Sequence, residues 1–186
     1  MDLPPVPPWE GAHPIVVHFP LALLLVAPVL VVLSLLVPKL RQGIALSALA
    51  VMALGAAGAS LAVATGEATQ EAVEETPAGK AAEDLIEAHS EAAETAQVLF
   101  LVLTAAYGAM VIVPVVRKKE FPRKADLALH GVFLLLYGGS CLLLANVGHM
   151  GGRIVHEKGV RAPMGAPAGG AAPAGEDGGR KGREKR

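Results

Sequence analysis

Only seven of the 186 residues are aromatic and one is a cysteine, and four long stretches hold no Lys, Arg, Asp or Glu at all. Each of these scarcities excludes something. One cysteine, Cys141, allows no intramolecular disulfide. The absence of any Walker loop, HExxH or Ser/His/Asp grouping counts against familiar ATPases and hydrolases, so no catalytic residue is assigned. Apolar stretches without an acid or base in their middle count against an ion-coupled transporter. A formal net charge of −1 leaves no reason to expect a nucleic-acid partner.

What is present is hydrocarbon: 53% of the chain is hydrophobic, gathered into residues 15–37, 44–65, 96–116 and 127–147. As helix, each run reaches roughly 30 Å, the thickness of a bilayer core. Lipid supplies the backbone with no hydrogen bonds, so runs of this length must be helices. The expectation is an all-α, up-down-up-down integral membrane four-helix bundle over residues 14–160. A short extracytoplasmic segment, 1–13, precedes it. The first run follows acids rather than bases and has no cleavage-site pattern at its end, so it reads as a retained span.

Charge sets the expected orientation. The two short loops carry seven bases, namely Lys39, Arg41, Arg117, Lys118, Lys119, Arg123 and Lys124. Residues 66–95 carry nine acids against Lys80 alone. Basic short loops stay in the cytoplasm, which puts both termini and the acidic segment on the extracytoplasmic face of the membrane. Between Lys80 and the third run no helix breaker intervenes, so the third helix should project beyond the membrane. Pro20 should loosen the first turns of the first helix, and Pro114 should end the third. The small residues of the second, Gly55 and Gly58 among them, should admit a close neighbour. Residues 161–186, rich in Gly, Ala, Pro and charge, read as a disordered tail.

On this topology five of the six histidines fall in one outer layer: His13 and His18 on the first helix, His89 ahead of the third, and His149 and His156 after the fourth. Only His130 lies at the other end, where an interfacial imidazole that simply hydrates is the simpler account. His13-Pro14 also serves as a helix start. Imidazoles from facing helices are how bundles hold haem iron or other metals. His18, His89 and His149 are the candidate ligands, with His13 beside them. His18 is preferred opposite His89 because the first and third helices stand across the bundle axis. No Cys-x-x-Cys-His is present, so a haem here is b-type. The acids of 66–95 lack calcium-loop spacing and read as a solvated face able to dock a basic partner. Asn146 is polar near the outer end of the fourth helix, within reach of a neighbour or ligand.

The run His13-Pro14-Ile15-Val16-Val17-His18-Phe19-Pro20, the Ala64-Thr65-Gly66 close of the second helix, His89, and Gly148-His149-Met150-Gly151-Gly152 carry a resemblance. Over about residues 11–160 the chain resembles a bacterial family of small four-helix membrane proteins, domain of unknown function 2231. Some relatives look fused or adjacent to c-type cytochrome domains, so the resemblance implies an electron-transfer setting and a c-type cytochrome or other membrane redox subunit as partner. Its matched positions include His13, His18, His89, Gly151 and Gly152. It often places an aromatic at His156 and so implies no ligand role there. The expected function is haem binding and electron transfer at the outer face. A non-catalytic scaffold or a zinc- or copper-binding membrane protein is the alternative.

Overall fold

A computed structural model describes residues 6–119 and 121–163. A 3-10 turn at Trp9–Gly11 leads into α1 (His13–Val16) and α2 (His18–Leu36), followed by a second such turn at Pro38–Leu40 and α3 (Arg41–Val73). After these come α4 (Pro77–Lys80), α5 (Glu83–Arg117) and α6 (Arg123–His156). No strand occurs among the described residues. The four long units, α1 with α2, α3, α5 and α6, are apolar and long enough to cross a membrane. Cyclic packing of α2 on α3, α3 on α5, α5 on α6 and α6 on α2 makes the bundle, leaving α2 and α5 diagonal. Outward-facing Leu25, Val29, Leu101, Val102, Leu135 and Leu142 coat the outside in hydrocarbon. In lipid this is the expected surface, because no water is excluded by burying it.

Segment 66–95 is helical nearly throughout. With no breaker before Thr76-Pro77, α3 runs about two turns past the expected close of the second helix. The Thr76 hydroxyl accepts from the Gly79 N–H at 3.0 Å to start α4. α5 begins at Glu83, so the third helix does project well beyond its apolar run. Pro114 sits inside the last turn of α5, and the helix closes three residues later with Lys118 left-handed at φ 51°. The tail expected over 161–186 lies, from residue 164 on, outside the described residues.

Three prolines punctuate the first span. Pro14 opens α1 where its missing N–H is harmless. Pro20 withholds the N–H that the Val16 carbonyl would accept, and the span breaks into α1 and α2 at Val17. Pro28 lies inside α2 and leaves the Leu24 carbonyl without its helical donor. The Tyr137 hydroxyl of α6 donates to that carbonyl at 2.9 Å, with both residues fully buried. The defect on one helix thereby becomes a tie to another.

Four of the seven aromatics form one column in the core. Phe100 meets Tyr137 at 5.3 Å, Tyr137 meets Phe133 at 5.6 Å, and Phe133 meets Tyr107 at 5.1 Å. His130 closes it edge-on to Tyr107 at 6.2 Å. His130 is therefore buried rather than hydrated. Its Nδ1–H donates to the Asp126 carbonyl at 2.9 Å, and the Asp126 carboxylate accepts from Arg41 at 2.5 Å. That ion pair ties the start of α3 to the start of α6.

Removing the Tyr137 hydroxyl strands a buried carbonyl, so Tyr137→Phe should lower stability by about 1–3 kcal/mol. Pro28→Ala restores a helical donor to Leu24. In that background the same substitution should have little effect, as denaturation in mild detergent would reveal.

Candidate functional site

At the end of the bundle where α1 begins and α6 ends, a cavity of about 460 Å³ opens between the helices. Its walls are mainly apolar and small, with Ala59, Ala62, Ala93, Ala96 and Val147 among them and Phe100 at the head of the aromatic column. Two imidazoles enter it from opposite sides. His13 of α1 and His89 of α5 stand with ring centroids 6.4 Å apart and planes at 88°.

The two rings are held in the same way. His13 Nδ1 lies 2.9 Å from the Ala62 carbonyl of α3, and His89 Nδ1 lies 3.1 Å from the Val147 carbonyl of α6. A carbonyl only accepts, so each Nδ1 carries the proton and each Nε2 keeps its lone pair. Each ring also rests on a glycine four residues beyond the carbonyl it bonds. A Cβ at Gly66 would sit 3.1 Å from His13 Cε1, and one at Gly151 would sit 3.2 Å from His89 Cε1. The pair Ala62 and Gly66 on α3 is thus matched by Val147 and Gly151 on α6. One helical turn separates carbonyl from glycine in both, which places the ring over the gap where a side chain would stand.

The expected ligand residues separate in space. His89 takes its place on the cavity wall, and the ring that faces it is His13. His18 borders the cavity but is exposed, because five residues further along a helix rotate a side chain about 140° away. His149 and His156 are exposed, as is Asn146. Among the described residues, no group of three or more His, Cys, Asp and Glu side chains converges as a metal site. The pairing of His13 with His89 was not legible in the spacing of the histidines. The signal that carried it was Gly66 and Gly151, which the pattern of resemblance contains but which reads as ordinary helix packing until the rings are placed.

A family model described as a predicted membrane protein, DUF2231, matches residues 10–163. The chain belongs to that family. No curated protein and no solved structure matches it. The matched span begins just ahead of His13 and runs past Gly151, so both halves of the imidazole pair lie inside the family domain.

Gly66→Ala and Gly151→Ala should each displace one ring by a few tenths of an ångström while leaving the helices intact. The expected signature is a changed histidine-ring environment by NMR, with the melting temperature moved by only a few degrees, since Ala favours helix over Gly by about 1 kcal/mol. Gly108→Ala, whose added methyl makes ordinary contact with Leu49, should leave the rings undisturbed.

Proposed function

We propose that this protein binds a b-type haem between His13 and His89 at the extracytoplasmic end of a bacterial inner-membrane bundle and carries electrons there. The observation that carries the reading is the opposed imidazole pair. An ion held between two imidazole nitrogens at about 2 Å each puts the ring centres about 6 Å apart, and the rings here are 6.4 Å apart. Each Nδ1–H bonded to a carbonyl fixes its ring and raises the basicity of Nε2, as is usual for metal-bound histidine. The mainly apolar cavity walls suit a flat hydrophobic macrocycle.

Number of donors separates haem from a bare metal ion. A structural zinc takes four protein ligands, and a catalytic one takes three. Haem iron would draw four nitrogens from its own macrocycle and ask only two side chains of the protein, and His13 and His89 are the two that would hold it. When bound, it would supply a one-electron couple inside the bundle. The residues of the chain do the rest: His13 and His89 hold and orient, the small side chains make room, and the acids of the projecting arm present negative charge to a basic redox partner such as a c-type cytochrome.

Protein purified from haem-replete cells should be red, with a Soret band. His13→Ala and His89→Ala should each abolish or convert the low-spin spectrum, whereas His18→Ala, His130→Ala and His149→Ala should leave it in place. Colourless protein with stoichiometric zinc or copper would decide for the metal-binding alternative, and an unaltered spectrum in His89→Ala would remove the reading.

A further inference from the structure

Beyond α6 the chain does not simply leave the bundle. The Lys158 N–H reaches back to the Arg153 carbonyl at 3.2 Å, and Gly159 at φ 71° reverses direction. The Val160 N–H then bonds the Ile154 carbonyl at 3.2 Å. The Val160 side chain, only 6% exposed, is buried with Val73 of α3, Ala82 ahead of α5 and Ile154 of α6. Val160 and Ala162 both border the cavity that holds His13 and His89. The strap therefore ties the ends of three elements together along one wall of the cavity.

We propose that residues 157–162 are a lid through which the ligand of this cavity enters and leaves from the aqueous side. The proposal rests on the cavity being a ligand site. Its mechanical basis is how little holds the strap. Lys158 and Arg161 are exposed, and neither forms an ion pair among the described residues. Glu157 stays tied to Arg153 by its N–H at 2.9 Å and its carboxylate at 3.0 Å, and beyond it one apolar side chain and two backbone N–H groups do the fastening. The cluster that receives Val160 is separate from the transmembrane core around Leu24, Met52 and Tyr107. Opening at Gly159 thus exposes one small cluster without loosening the bundle, the condition for a low-energy local opening. Gly159 is suited to the reversed turn because a left-handed φ is free of steric penalty only without a Cβ.

The test is cysteine accessibility in full-length Cys141→Ser protein, with the probe site at Ala93→Cys on the cavity wall and a control at the exposed Glu87→Cys. A charged thiosulfonate is the reagent. Adding Val160→Asp should speed modification at the Ala93 site about tenfold, the range of a local opening made dominant, and leave the Glu87 site unchanged. Should Val160→Asp lower the melting temperature of the whole bundle, Gly159→Ala decides, since it strains only the closed turn; several-fold faster modification is expected. Equal rates with and without these changes would overturn the lid. An absorption spectrum of each preparation separates the two ideas. Colourless protein with faster modification rejects haem and keeps the lid, whereas coloured protein with unchanged rates keeps haem and rejects the lid.

Discussion

The close approach of the first span to α3 is the constraint on which the rest of the molecule depends. A Cβ at Gly55 would fall 2.8 Å from two atoms of Leu24, and one at Gly58 would fall 3.0 Å from Phe19. Leu24 is fully buried and has nowhere to go, so the first contact forbids a side chain at Gly55, whereas the second would ask the half-exposed Phe19 ring to give by a few tenths of an ångström. With glycine at both positions, α2 lies almost on the backbone of α3. That closeness is what carries α1, one break further up, to the point where the His13 ring reaches the Ala62 carbonyl and covers Gly66. In lipid, where apolar burial gives helices no reason to associate, such packing and the polar ties it permits are the main source of cohesion.

Those polar ties sit where the backbone itself is deficient or where a helix ends. Pro28 strands the Leu24 carbonyl and Tyr137 answers it from α6, joining neighbours that otherwise touch lightly. At the basic end, Arg41 and Asp126 close the bundle, with His130 and Tyr107 buried behind them. The Tyr107 hydroxyl is the single buried side-chain polar atom without a partner among the described residues. The two ends thus differ in kind. One is sealed by charge around a filled core, and the other is held open by small residues around two imidazoles.

Much of this was legible in the sequence, for reasons that can be named. Four uncharged runs of bilayer length admit few other folds, and the absence of a breaker between Lys80 and residue 96 announced the projecting α5. The gathering of histidines at one end followed from the alternation of helix directions alone. Which of them meet did not follow, because the break at Val17 and the depth of α1 against α3 depend on packing that periodicity does not encode. His130 was misread for a similar reason: an imidazole near a span end looks interfacial until Asp126 and Tyr107 are seen to enclose it. Val160 carried no signal at all, being one valine in a segment of glycine and charge.

The matched docking of His13 and His89 bears on how the site works. The first span and α3 form one hairpin, and α5 with α6 forms a second. Each hairpin supplies a histidine from its first helix, and its second helix supplies the carbonyl and glycine that hold it. Neither hairpin needs the other to orient its ring, so each half of the site is preorganised by its own packing. What the bundle adds is the distance between the halves, set where α3 packs against α5. A ligand bridging the two rings would therefore join the two hairpins, and its binding energy would appear as resistance of the α3–α5 seam to opening rather than as a change within either half. The same division explains why the cavity can be large without weakening the fold: it lies along the seam between hairpins, where no hydrogen-bonded backbone is interrupted.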